Sequence, residues 1–284
     1  MKSPLFSRPV FAWALYDWAN SAYATTVMVV FFPLFFKQHL TADQSAATST
    51  FWLGVANGTA SFVLAVLAPF LGALADKGNA HLRLLGLFTA IGVIPTALLA
   101  YVGDGDWQTA AVLFGISSIG FWGGLIFYDS MLVRVAPRDR IDSVSGFGYA
   151  LGYLGGGLLL IVNVAMYGKP EWFGLASKES AIRMSFITVA VWWVLFSIPL
   201  LRQSALKTDT TPIATRAAVL SSFVELKRTF HEVRKLRPVV LFLIAYWMYI
   251  DGVNTMMKMA VDYGLALGFP ADSLIAGILL IQLI

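Results

Sequence analysis

Charged residues along this chain fall in short clusters, and long stretches without a single Asp, Glu, Lys or Arg run between them: 18–36, 44–75, 84–102, 107–128, 143–168 and 184–201. Each is near or above the roughly 18 residues that a helix needs to cross a bilayer's hydrocarbon core. The pattern predicts helices at about residues 10–36, 49–75, 83–102, 107–133, 143–168 and 183–201. A polar stretch, 202–237, follows. A seventh helix is expected at about 238–266, and an eighth apolar segment begins near Ser273. The expected fold is all-α, a polytopic membrane helix bundle.

Composition agrees with that layout. Hydrophobic residues make up 58% of the chain and charged residues 13%, against about a quarter charged in soluble domains. A single water-soluble domain is excluded. The net charge of +4 would suggest nucleic acid in a soluble protein, but here the excess sits in loops. One set of loops holds Lys2 and Arg8, Lys77 and Arg83, Arg134, Arg138 and Arg140, and eight more from Arg202 to Arg237, 15 in all, against Lys37, Lys169, Lys178 and Arg183 on the other side. By the positive-inside rule the N-terminus and the long middle loop are expected in the cytoplasm, with the protein in the cell (inner) membrane. Nucleic acid is not an expected partner. The run after Arg8 is too long for a signal-peptide core and reads as an uncleaved first span. The chain has no cysteine, and His39, His81 and His231 lie scattered, so no metal site, triad or cofactor is expected and nothing supports an enzyme.

Inside the first span stand Trp13, Asp17, Asn20 and Ser21; 234 residues later Trp247, Asp251, Asn254 and Thr255 repeat the spacing in the seventh. Both helices start on the same side with six spans between them, as a parallel repeat requires. On a helix Asp17, Asn20 and Ser21 share one face, and Asp251, Asn254, Thr255 and Lys258 share another. Carboxylates inside a span cost on the order of 2.5–3.5 kcal/mol on insertion scales. Such stripes are therefore expected to face the bundle interior, lining a path for a solute and for protons. The plain alternative is structural: Asp17 and Asp251 bonded to neighbouring side chains, with Lys258 neutralising one. Tyr16 and Tyr23 are candidate lining aromatics.

Three other features could move or steer the helices. Gly72, Asp76 and Lys77 close the second span, where Gly72 would allow a tight crossing and Asp76 could pair with Arg134 in a cytoplasmic latch. Asp129 is read more plainly, as part of an ion pair with Arg134 at that end. Gly148, Gly152 and Gly156 form a small-residue ridge on the fifth helix, suited to close and sliding contact. A nucleotide loop is excluded there, because no strand precedes the glycines and no Lys-Ser/Thr follows. Leu220, Phe223, Val224, Phe230 and Val233, interleaved with Lys227, Arg228, Arg234 and Lys235, read as a basic amphipathic helix on the membrane surface, a tether or a lipid-sensing element.

Together these residues resemble the major facilitator superfamily and, within it, the autophagy-related vacuole effluxer-like branch, once called the unknown major facilitator family. The resemblance covers the whole chain and is most specific at Tyr16, Asp17, Trp18, Ala19, Asn20, Ser21, Ala22 and Tyr23. Supporting stretches are 147–156 and 249–255. The superfamily's signature between the second and third helices matches at Gly72, Leu74, Asp76 and Lys77, then departs at Asn79, Ala80 and His81. Membership implies twelve helices in two bundles and alternating access. By similarity to fungal vacuolar relatives it implies amino-acid export.

The expected organisation is a six-helix bundle over 1–201, a cytoplasmic linker over 202–237, and helix 7 with part of helix 8 over 238–284, with the chain ending inside its second repeat. The expected function is secondary active transport of a small polar solute, amino acids among the options, coupled to protons by a monomer in the lipid bilayer. Sugars, betaines and drugs remain open as solutes, and a non-transporting membrane receptor or scaffold is the alternative from another class. Facing cavities would distinguish transport, since a scaffold has no use for two interior carboxylates on matched helices.

Overall fold

The computed structural model describes residues 7–78, 81–203, 227–228 and 230–283. Its described part is helical: α1 (Arg8–Leu40), α2 (Ala46–Gly78), α3 (His81–Leu98), α4 (Trp107–Val135), α5 (Ile141–Gly168), α6 (Lys178–Leu201), α7 (Arg237–Ala266) and α8 (Ala271–Leu283). The first seven are long and apolar enough to cross a membrane, and each expected helix is present within a few residues of its expected ends. Most of the expected basic surface helix, 204–226 together with Thr229, lies outside the described residues.

Local chemistry sets the helix ends. Asp106 accepts from the Thr109 N–H at 3.2 Å to start α4, and Ser177 accepts from the Ser180 N–H at 3.1 Å to start α6, each satisfying a donor that the first turn leaves unpaired. Pro9 and Pro238 open α1 and α7, where a missing N–H costs nothing. Between α7 and α8 the chain reverses through Gly268 at φ +87°, a conformation that side chains resist. Within the spans, hydroxyls bond back to their own helix, Thr96 to the Gly92 carbonyl at 2.7 Å and Ser197 to that of Trp193 at 2.7 Å. No water is available in hydrocarbon to do so.

Helix α1 is central, packed against α5 and α6, while α3 and α4 cross tightly beside it. It is not a uniform α-helix: Tyr23–Phe31 and Phe36–Leu40 form π-helical turns. Lipid is as apolar as leucine, so helices associate through close packing rather than through escape from water. Glycines supply that packing. At the α3–α4 crossing a Cβ on Gly120 would overlap the backbone of Gly92, and on α5 a Cβ on Gly155 would come 2.5 Å from the Trp18 carbonyl oxygen. Phe62, Ile94, Val133 and Leu195 point outward, as lipid-facing residues do.

One end of the bundle gathers Val10, Trp13, Leu82, Met131, Val144 and Leu200 in a single cluster, and is called the basic end after the loops that flank it. At the opposite, far end α7 is clasped to the rest. Lys37 Nζ donates to Asp262 Oδ1 at 2.5 Å and to Thr50 Oγ1 at 2.8 Å, and Thr50 donates to Asp262 Oδ2 at 2.6 Å. Asp262 is fully buried. The buried residues of α7 are Val261, Asp262 and Gly264, whereas Leu241, Phe242, Ile244 and Trp247 nearer the basic end are exposed. Helix α7 therefore meets the bundle at the far end and stands off from it toward the basic end.

Candidate functional site

The gap that α7 leaves is a cavity of about 400 Å³ walled by three helices. Helix α2 contributes Ser61, Leu64, Ala65 and Ala68, α4 contributes Trp122, Leu125, Ile126 and Asp129, and α7 contributes Trp247, Ile250, Asp251, Asn254 and Lys258. Lys258 Nζ lies 5.2 Å from the centre of the Trp122 ring and 3.4 Å from Ser61 Oγ, a cation held over an aromatic face. Among the described residues no carboxylate lies within ion-pair distance of it; the Asp251 charge acts on Lys258 across the cavity wall that the two share.

A second cavity, about 160 Å³, adjoins it between α1, α4 and α5. Asp17, Asn20 and Ser21 form its α1 wall, Tyr128 and Asp129 its α4 wall, and Ser145 and Tyr149 its α5 wall. Ser21 Oγ donates to Asp17 Oδ1 at 3.3 Å, one helical turn apart. Trp13 donates its indole N–H to the Tyr128 carbonyl at 3.0 Å, and their rings stack at 4.4 Å, which fixes α1 against α4 beside the carboxylates. The glycine ridge of α5 lies over the same face: a Cβ on Gly152 would sit 2.8 Å from the Asp17 carboxyl carbon, one on Gly148 2.5 Å from the Trp13 ring, and one on Gly156 3.0 Å from the Ser21 carbonyl oxygen.

The two repeated stripes thus do not face each other across one channel. They open on adjoining cavities that share Leu125 and Asp129 of α4. Asp129, read from sequence as part of an end-of-helix ion pair, stands in this shared wall. Its position in the interior of α4 was the available signal.

Several expected residues lie elsewhere. Tyr16 and Tyr23 are fully buried and line neither cavity. Tyr16 shares a hydrogen bond of 3.1 Å with Thr89, and Tyr23 bonds Ser117 at 2.6 Å and Ser118 at 3.0 Å. Tyr16 sits one residue off the Asp17 face. Tyr23, six α-helical residues after Asp17, points about 120° away from the Asp17 face. Thr255 is exposed and lines neither cavity, because the α7 stripe continues by three-then-four spacing through Asp251, Asn254 and Lys258. Gly72 makes no tight crossing: a Cβ there would meet nothing within 4 Å among the described residues. The side chains of Asp76 and Lys77 lie outside the described residues, so the pairing expected between Asp76 and Arg134 does as well. A third hollow, about 490 Å³ between α2 and α4, has Trp52, Trp107 and Ile116 in its wall and no charged residue.

Residues 7–140 and 134–283 match the family described as vacuole effluxer Atg22 like. An uncharacterized MFS-type transporter, YxiO, of Bacillus subtilis is 36% identical over 286 residues, covering 98% of this chain and 65% of its own length. Autophagy-related protein 22 of Yarrowia lipolytica is 26% identical, over 78% of this chain and 41% of its own. The chain therefore spans less than two thirds of these relatives' length. The crystal structure of a D-xylose-proton symporter superposes with a TM-score of 0.57 at 13% identity, covering 97% of this chain and 64% of that one. That likeness shows the fold: a multi-pass membrane bundle of the major-facilitator kind. With the family matched along nearly the whole chain and the fold agreeing, this chain belongs to the vacuole effluxer Atg22-like family of MFS-type transporters.

Proposed function

We propose that this chain forms the solute- and proton-handling part of a secondary active transporter that moves a small polar solute by alternating access, with amino acids the favoured class. The observation that carries the reading is the pair of adjoining polar cavities, each built on a carboxylate from a repeated helix, Asp17 on α1 and Asp251 on α7. Carboxylates and Lys258 together suit a solute bearing both charges, and Trp122 and Trp247 give its apolar part a surface. Relatives named as a transporter and as autophagy-related proteins support transport in general. The symporter's printed name favours protons as the coupling ion. The division into a bundle over 1–201, a linker over 202–237 and the start of a second bundle at 238 belongs to the same proposal, with Gly148, Gly152 and Gly156 as the surface on which α1 and α5 slide. The protein acts as a monomer.

Reconstituted full-length protein tests this with radiolabelled amino acids. Asp17→Asn is expected to lose pH-gradient-driven transport by at least about tenfold while retaining solute exchange, and Asp251→Asn to lose both. Gradient-driven transport surviving in Asp17→Asn would remove that residue from the proton path, and no transport of any amino acid by the wild type would remove the solute class.

The proposed orientation places the basic end in the cytoplasm of a cell with the protein in its inner membrane. A cysteine replacing Glu171, on the exposed turn between α5 and α6, is expected to react with an impermeant maleimide added to intact cells. One replacing Arg138, between α4 and α5, is expected to react only after lysis. The opposite pattern would invert the topology.

A further inference from the structure

The segment that enters α7 carries charge that neither cavity uses. Within 227–237 stand Lys227, Arg228, Arg234, Lys235 and Arg237 against one carboxylate, Glu232. All five bases are exposed. Glu232 lies 3.7 Å from Arg228, and among the described residues the other four bases have no carboxylate partner. The surplus belongs to this segment rather than to every loop at the basic end: between α4 and α5, Arg138 and Arg140 stand beside Asp139 and Asp142, and their charges cancel. Unbalanced positive charge on an open surface attracts anions.

Two further observations say which anion. Phe230 is 69% exposed and Leu236 55%, so apolar side chains stand in the open among the bases. A soluble phosphate has no use for them, whereas the boundary between headgroups and acyl chains takes both kinds of side chain. Depth agrees, because the span begins at Arg237 and the segment leads straight into it. The Arg234 N–H donates to the Phe230 carbonyl at 3.0 Å, that of Leu236 to Val233 at 2.9 Å and that of Val240 to Leu236 at 3.1 Å. Successive turns thus join the segment to α7 without a slack loop, at the end where α7 stands off from the bundle and leaves the large cavity.

We propose that residues 227–237 form a docking surface for the headgroups of anionic phospholipids, and that seating there holds the start of α7 away from α2 and α4, so that the large cavity stays open. Lys227, Arg234, Lys235 and Arg237 meet the phosphates, and Phe230 and Leu236 enter the acyl boundary. Neutral lipid offers the bases no counter-charge, and the start of α7 is then free to approach the bundle.

The chain lacks cysteine, so His231→Cys, exposed on the segment, can be introduced into the full-length protein freed of any other cysteine and labelled with bimane. In neutral-detergent micelles, short-chain phosphatidylglycerol is expected to change the bimane emission at concentrations about tenfold or more below those of short-chain phosphatidylcholine, since each base near an anionic surface adds to the attraction. Lys227→Gln, Arg234→Gln and Lys235→Gln together should remove that preference, and Arg234→Lys with Lys235→Arg should keep it. Arg138→Gln with Arg140→Gln, in the balanced loop at the same end, should leave it unchanged. In nanodiscs, Ala65→Cys in the large-cavity wall should be alkylated about fivefold or more faster with phosphatidylglycerol present than in phosphatidylcholine alone, the lower range of coupling between sites, and the triple variant should react equally in both. An equal response to the two lipids, a preference that survives the triple variant or is lost with Arg138 and Arg140, or a response reproduced by inorganic phosphate would overturn the docking surface. Alkylation indifferent to lipid would overturn its hold on α7. No solute or coupling ion enters these readouts, so they can fail while transport persists and succeed whatever the protein carries.

Discussion

Asp262→Ala is expected to loosen the far end of the bundle by about 3–5 kcal/mol, the usual cost of removing one partner from a buried ion pair. Lys37 is only 10% exposed and Asp262 not at all, so the lysine left behind could not recover its hydration without opening the structure. The clasp joins α1, α2 and α7, and that loss falls on the contact that keeps α7 against the bundle at this end. A transporter that alternates must release the contact whenever its far side opens. The variant should therefore populate far-side-open forms more, read as faster alkylation of a cysteine at Gln44, and should melt at a lower temperature. Lys37→Met combined with Asp262→Leu should recover much of the stability, because apolar replacement of both partners removes the desolvation penalty along with the attraction. A double variant no better than the single one would show that the three-residue network, with Thr50, contributes beyond the pair.

This clasp was not legible in the sequence. Lys37 looks like any charge at the end of a span, and its partner lies 225 residues away; nothing in spacing joins positions on helices whose contact depends on the whole bundle. Asp17 and Asp251 were legible because a carboxylate inside an apolar run is costly wherever it occurs, and because the same register recurs at both. Helix number and ends followed from the charge-free runs for the same reason: hydrocarbon length sets them before any packing does. What periodicity missed was face. Tyr16 and Tyr23 were grouped with Asp17 by proximity in sequence, yet at about 100° per residue one position before it and six positions after it both leave the Asp17 face and enter the packed interior. Asp129 lay in plain view on α4, but its place between two cavities depends on α7 standing off the bundle, and only the assembled helices show that. Glycines were legible as a ridge on α5 and misleading at Gly72, since small size permits a close approach without requiring one.

That distinction among glycines makes the sharpest expectation about stability. At Gly155 an added methyl group would lie 2.5 Å from the carbonyl oxygen of Trp18 and 2.6 Å from its ring, and a backbone oxygen in the middle of a helix cannot turn aside. Helices α1 and α5 would have to separate along the crossing that also holds Gly152 against Asp17. Gly155→Ala should accordingly cost about 1–3 kcal/mol or more, as overpacking does, lower the yield of folded protein, and disturb the small cavity by moving Asp17. Gly146 lies on the same helix nine residues earlier, where a methyl group would meet nothing within 4 Å. Gly146→Ala should leave stability unchanged or raise it by about 0.4–1 kcal/mol, because alanine restricts the unfolded chain without straining the helix. Thermal melting of the two purified variants in one detergent decides the matter: equal melting temperatures would mean that α1 and α5 meet less closely than the structure has them, and the glycine ridge would lose its role in holding the carboxylate in place.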